Sequence, residues 1–375
     1  MKLQNILLTI STLFLLFCLL CFPQALLQKS IESVDLWFNT VLPSLFPFLT
    51  ATGILIRLGI AHKLGYIFQP IMKPIFGLSG ICAFPLILGM ISGYPSGAKI
   101  TVTLCQNKAL SQKEAQAILA FCNNPGPLFV VGTAGTAFLK NPAMGYFMLF
   151  CIFAGAITTG ILLRFFYKTE NNITAKSNYT LSAPSNIEPI GKILANSVAD
   201  AMETVTQIGG FIILFGVIIE AFQQTGIIAF FAKYFSGIFS LSSSAIAAIL
   251  GGILEMTNGA FLLSQSPEQI HTQLTAITAI LSFGGLSILA QTLGILSSIP
   301  ISSAKYFFSK CLNSIFSAII CFFCYPLFQN KLIKAVSVSS FATKTASFYH
   351  HSFVFYFSFL LFALLLLSFY HLRQK

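Results

Sequence analysis

Glu255, Thr257 and Asn258 stand together in "LEMTNGA" (254–260), an acid, a hydroxyl and a carboxamide inside a run of small and apolar residues. An acid in such surroundings could carry a proton, hold a coupling ion or accept from a solute. Asn123 and Asn124 sit side by side in "FCNNPGPLF" (121–129). Paired carboxamides both donate and accept, so they suit a polar organic ligand, a base or a sugar hydroxyl. They suit equally the backbone carbonyls that a broken helix leaves free. Ser282 lies in "LSFGGLS" (281–287), and Gln291 follows Ser287 by four residues, which puts those two on one helical face. Lys99 closes "SGYPSGAK" (92–99).

Other chemistries find no footing. The chain has no HExxH, no Gly-x-Ser-x-Gly and no paired acids with a base beside them, so no catalytic residue is expected. Cys18/Cys21 and Cys321/Cys324 have C-x-x-C spacing but lie in apolar runs without a neighbouring His or acid. Packing is the expected role, and neither metal nor cofactor is expected. A net charge of +11 comes without a basic cluster interleaved with aromatics, so nucleic acid is not an expected partner.

The elements that position these residues follow from composition. Of 375 residues, 56% are hydrophobic and 8% charged, with 40 Phe. Soluble domains carry about a quarter charged residues, so this is an integral membrane protein. Its apolar runs are continuous rather than alternating, which selects helices over a barrel. Full spans are predicted near 6–27, 36–60, 111–138, 141–166, 199–223, 268–297, 303–327 and 351–371. The stretches 79–98 and 241–263 are interrupted near their middles and read as re-entrant hairpins. A cytoplasmic N-terminus puts most of the 21 Lys and Arg on the cytoplasmic side, in the bacterial inner membrane. Arg57 and Glu220 sit at equivalent places in two spans and are expected to snorkel rather than to pair.

The chain repeats itself. "PIFGLS" at 74–79 has a partner in "GIFSLS" at 237–242, and "AILAFCNNPGPLFVVGTAG" aligns with "AITAILSFGGLSILAQTLG". Each copy holds three spans and a hairpin. An odd number inverts the second copy, the layout of many secondary transporters. The fold class is thus an all-α polytopic membrane protein with inverted repeats, two re-entrant hairpins and two broken helices. The expected boundaries are an N-terminal span 1–35, repeat 36–167, polar cytoplasmic linker 168–198, repeat 199–327, and a loop with a final span 328–375.

Lipid accepts non-helical backbone only where protein or a wet cavity supplies partners. Gly93, Pro95 and Gly97 in the first hairpin, Pro125 and Gly126 in the first broken helix, and Gly284 and Gly285 in the second are therefore candidate gating positions. Glu255 and Lys99 are the candidate coupling groups. The helix after Ser96 would point its positive end into the same cavity.

"SGYPSGAK", the helix start at Ser111 and Glu114, "FCNNPGPLFVVGTAG", "LEMTNG" and "SFGGLSILAQ" together resemble the YlbJ family of sporulation integral membrane proteins. That family is grouped with the nucleoside recognition, or Gate, domain shared by concentrative nucleoside transporters and ferrous-iron transport proteins. The resemblance covers about residues 36–325. It implies a protein of endospore formers, associated with the spore cortex, with a transporter-like core. A permease-like component is the implied function; the alternative is a non-transporting scaffold that recruits sporulation proteins. Nucleoside transporters bind base and ribose from both hairpins and both broken helices. By position Asn123, Asn124, Thr257, Asn258, Ser282 and Gln291 become the substrate-binding candidates, with Glu255 beside them. The expected partners are a small polar, nucleoside-like solute, a coupling ion, membrane lipid and a second copy of the chain.

Overall fold

Long apolar runs wind into helices, and Pro or Gly ends them. The computed structural model describes residues 3–58, 70–106, 108–166 and 189–341, and every regular element among the described residues is helical. Pro142–Arg164, Ile190–Gln224, Ile270–Leu296 and Ser303–Gln329 are each long and apolar enough to cross a membrane. Three bent helix pairs raise the possible spans to seven among the described residues. The expected last span at 351–371 and most of the 168–198 linker lie outside the described residues. A first compact unit extends to Tyr325, and a second begins at Pro326.

The predicted continuous span 6–27 is instead two helices, α1 (Leu3–Cys21) and α2 (Pro23–Leu36). Pro23 occupies the first turn of α2, where a missing N–H costs nothing, and the axis turns there by 106°. A π-helical turn at Trp37–Val41 leads into α3 (Leu42–Arg57). These helices dock on α9 (Ile190–Gln224) through small residues. Gly209 lies under the Trp37 ring, whose indole N–H donates to the Val205 carbonyl at 3.0 Å. Gly53 meets Ser197 and Gly216 meets Ser33, close approaches that dispersion rewards in lipid. Arg57 does not snorkel alone: it pairs with Asp200 of α9 at 2.6 Å, while Glu220 accepts from Gln224.

The first half continues with α4 (Pro70–Phe76), α5 (Ala83–Ser92), α6 (Ser96–Gln106), α7 (Gln112–Cys122), a π-helical segment Leu128–Phe138 and α8 (Pro142–Arg164). The second has α10 (Ile227–Phe239), α11 (Ser243–Leu254), α12 (Met256–Ser264), α13 (Ile270–Phe283), α14 (Gly285–Leu296) and α15 (Ser303–Phe341). In each half a bent pair feeds a hairpin, at 94° before α5 and 115° before α11. The same contact fixes both bends. The Ser79 N–H donates to Glu114 Oε1 at 3.2 Å, and the Ser242 N–H donates to Glu268 Oε1 at 2.8 Å. Glu114 also closes the expected capping box with Ser111. A carboxylate thus ties each hairpin to the broken helix of its own half.

Helix α15 has two unlike faces. Phe307, Phe308, Ile315, Ile319, Phe322 and Phe323 are exposed, as suits lipid contact. Tyr306, Lys310, Asn313 and Ser317 recur every three or four residues and are at most 2% exposed. That polar stripe reaches the interrupted segments.

Candidate functional site

A helical carbonyl accepts from the N–H four residues on, and Pro has none to give. Phe121 O would need the N–H of residue 125 and Asn123 O that of residue 127; both are Pro. Asn124 Nδ2 takes the Phe121 carbonyl at 2.7 Å, and Lys310 Nζ takes the Asn123 carbonyl at 2.8 Å. Asn313 Nδ2 donates to Asn124 Oδ1 at 2.7 Å. Asn123 Nδ2 donates to the Tyr306 hydroxyl at 2.8 Å and to Thr292 Oγ1 at 3.3 Å. The first break is therefore held open by α14 and α15, with every one of these side chains buried.

The second break turns on two glycines in the left-handed region, Gly284 at φ 89° and Gly285 at φ 76°. A Cβ on Gly285 would lie 3.1 Å from the Met256 nitrogen at the second hairpin tip. Ser282 Oγ and Ser317 Oγ are 2.9 Å apart. Tyr94, from the first hairpin tip, donates its hydroxyl to the Ser282 carbonyl at 2.9 Å and packs on Gly284. This buried ring latches the first hairpin to the second broken helix. Gly93, at φ 80°, abuts the backbone of Gly126, so the same hairpin also touches the first break.

At the second hairpin tip Glu255 ends α11 and caps α12. Its Oε1 accepts from the Thr257 N–H at 2.8 Å, and its Oε2 from the Asn258 N–H at 2.7 Å and Nδ2 at 3.0 Å. These bonds satisfy N–H groups that the first turn of α12 would otherwise leave without partners. Three of its roughly four lone-pair directions are used, leaving one on Oε1 for another donor.

A cavity of about 40 Å³ opens where these tips converge. Gly93 and Tyr94, Pro125 and Gly126, Glu255 and Thr257, and Ser287 and Gln291 line it, with apolar walls from Leu45, Leu49, Phe211 and Ile212. Ser92 also lines it, and its buried hydroxyl has no hydrogen-bond partner among the described residues. Of the sequence candidates, Gly93, Pro125, Gly126, Glu255, Thr257 and Gln291 are thus brought together. Asn124, Asn258, Ser282 and the side-chain nitrogen of Asn123 make bonds that hold the breaks and the hairpin tip. Gly97 packs on the Cys122 carbonyl, Gly284 on Tyr94 and Gly285 on the second hairpin. Pro95 forms the first tip, and Lys99 is exposed on the first turn of α6. Among the described residues the buried basic side chain of the core is Lys310, whose Nζ lies 4.9 Å from the Tyr94 ring centroid. Sequence reasoning missed it, with Tyr306 and Asn313, because α15 is uninterrupted. Their shared helical stripe was the available signal.

Comparison with known proteins bears on this geometry. The chain is 30% identical over 335 residues to the sporulation integral membrane protein YlbJ of Bacillus subtilis strain 168, spanning 85% of this chain and 82% of that protein. It belongs to the YlbJ family. Residues 38–169 of this YlbJ-family chain match the Gate domain, described as nucleoside recognition; they include the first hairpin and the first break. Two solved structures share the fold. CNTnw, a concentrative nucleoside transporter, in an inward-facing substrate-bound state gives a TM-score of 0.56 at 15% identity, covering 84% of both chains. A doubly substituted CNTnw in an outward-facing state gives 0.53 at 15% identity, covering 85% of this chain and 83% of that one. The YlbJ-family chain is therefore a multi-pass sporulation integral membrane protein with a transporter-like Gate core. Its relatives are membrane proteins or transporters rather than enzymes.

Proposed function

We propose that this protein is a permease-like component needed for spore cortex formation, and that it handles a small polar solute at the hairpin-tip cavity. The observation that carries this reading is the convergence of both hairpin tips and both broken helices on one cavity. That cavity holds the Glu255 carboxyl group with a spare acceptor direction, the side chain of Gln291 and the Ser92 hydroxyl, which has no partner among the described residues. The nucleoside-recognition description of the Gate domain and the transporter neighbours support a nucleoside-like solute. Glu255 is the coupling or solute-accepting group, and Gln291 and Thr257 supply ligand hydrogen bonds.

A cavity of about 40 Å³ holds water but no nucleoside, since small-molecule sites run to roughly 300–1,000 Å³. Binding therefore requires a hairpin to withdraw, the movement that alternating access needs. The Tyr94 latch is the bond that opens first.

The test is genetic. Glu255→Gln and Gln291→Leu, placed in an endospore former at the native locus, should abolish cortex while protein abundance is unchanged. Normal cortex in both strains overturns the site. Normal cortex there, but loss on altering the 168–198 linker, would mark a scaffold instead.

A further inference from the structure

Away from the solute site, the surface between α8 and α15 carries a second hollow. We propose that it binds one anionic phospholipid, with an acyl chain lying in the hollow and the phosphate meeting the Lys305 ammonium. The inference stands whether or not the core moves a solute.

The hollow has a volume of about 500 Å³, within the roughly 300–1,000 Å³ of small-molecule sites. It opens where the end of α8 passes the first turns of α15, and Leu162, Leu163, Phe166, Phe308 and Leu312 form its walls. Leu163 is buried at 6% exposure, while Phe166 and Phe308, at 76% and 59%, face outwards. Further along the same two helices Ile157, Ile161, Ile315 and Ile319 are exposed, so the hollow continues a lipid-facing surface. A void there would forfeit dispersion contacts, and acyl chains are the hydrocarbon at hand in a bilayer. A water-soluble solute would find little to bond. Among the described residues that line the hollow Lys305 alone is charged, and the others are aliphatic or aromatic.

That charge selects the headgroup. Lys305 lies on the first turn of α15, so its apolar stem can follow the hollow while the ammonium reaches phosphate depth. Arg164, next in sequence to Leu163, adds a second positive charge at this end. Its exposed guanidinium donates to the Pro74 and Ile75 carbonyls, and both acceptors are neutral. Basic pockets between spans are where anionic headgroups bind, and the expected orientation puts this end at the cytoplasmic leaflet.

The purified, delipidated protein is melted in detergent with increasing dioleoylphosphatidylglycerol, dioleoylphosphatidylcholine or inorganic phosphate. Phosphatidylglycerol should raise Tm by about 3 °C or more, saturably, because a ligand of the folded state alone stabilises it. Phosphatidylcholine should give about 1 °C or less, and inorganic phosphate nothing. Lys305→Ala, at an exposed position, should lower the phosphatidylglycerol gain to the phosphatidylcholine level. Lys233→Ala, equally exposed on α10, should leave it intact. Ala304→Trp, which fills the hollow, should remove the gain from both lipids. A gain equal for the two lipids, reproduced by inorganic phosphate or surviving Lys305→Ala overturns the proposal, and so does its loss in Lys233→Ala. A second copy seated in the hollow would appear as a dimer that Ala304→Trp splits and lipid does not alter, which overturns it too. Should Ala304→Trp fail to fold, Lys305→Ala decides.

Discussion

Asn124→Ala removes two buried bonds at once. The Phe121 carbonyl, already without its helical donor because residue 125 is Pro, loses Asn124 Nδ2 at 2.7 Å. Asn313 Nδ2 loses its acceptor, also at 2.7 Å. Asn124 is 0% exposed, so water does not reach either orphan without rearrangement. Leaving a buried polar group unpaired costs about 1–3 kcal/mol, which makes about 2–6 kcal/mol for the pair. For a chain of this length that corresponds to a fall in Tm of about 3–8 °C. Thermal melts of the purified protein in detergent measure it. Asn124→Asp should fall at least as far, since it keeps an acceptor for Asn313 but sets a carboxylate oxygen against the Phe121 carbonyl. Adding Asn313→Ala to Asn124→Ala removes one of the orphans, so the double variant should cost about 1 kcal/mol less than the sum. An Asn124→Ala protein that melts with the unaltered one would refute the assignment of this carboxamide to the break.

Gly89→Ala should destabilise by about 1–3 kcal/mol or prevent folding, since its Cβ would strike the Cys122 carbonyl oxygen and lie 3.0 Å from Gly97 Cα. Gly210→Ala, with nothing within 4 Å of the new Cβ, should be neutral or stabilising in the same melts. Tyr94→Phe deletes the hydroxyl that reaches the Ser282 carbonyl at 2.9 Å and should loosen the latch. A cysteine placed at Gln291 should then react faster with a water-soluble thiol reagent than in the Tyr94 background; equal rates would remove Tyr94 from gating. The Ser242 N–H holds the Glu268 carboxyl below its ordinary range, so the stability it contributes is present above the unfolded value and lost as pH falls through the lower folded one. Glu268→Gln should therefore melt below the unaltered protein at neutral pH, and the gap should close on acidification past the ordinary glutamate range. A gap independent of pH would deny that contact its charge.

What the sequence made legible was punctuation. Pro125, Pro127, Gly284 and Gly285 end helices by rules that act locally, so both breaks and both hairpins could be placed from composition alone. Ser111 and Glu114 announced the start of α7 for the same reason. The first span misread Pro23, because an apolar run on both sides of a proline hides a 106° turn. Partnership was not legible. Asn123 and Asn124 could be read equally as ligand groups or as partners for freed carbonyls, because Lys310 and Asn313, which they meet, lie almost two hundred residues away on a helix with no break to draw attention. Lys99 drew that attention instead, since it adjoins a proline turn, yet it is exposed. The polar stripe at 306, 310, 313 and 317 carried the information, but on a helix rich in Phe and Ile it reads first as scattered noise.

The measurement that bears most directly on the central claim is solute uptake into liposomes holding the purified protein. Nucleosides and cell-wall precursors are screened with and without ion gradients, the unaltered chain beside Glu255→Gln. The hairpin-tip cavity as a solute site predicts saturable uptake of at least one polar solute by the unaltered chain and a loss of tenfold or more in Glu255→Gln. Uptake that is indifferent to Glu255→Gln, or absent for every solute under every gradient, would contradict it.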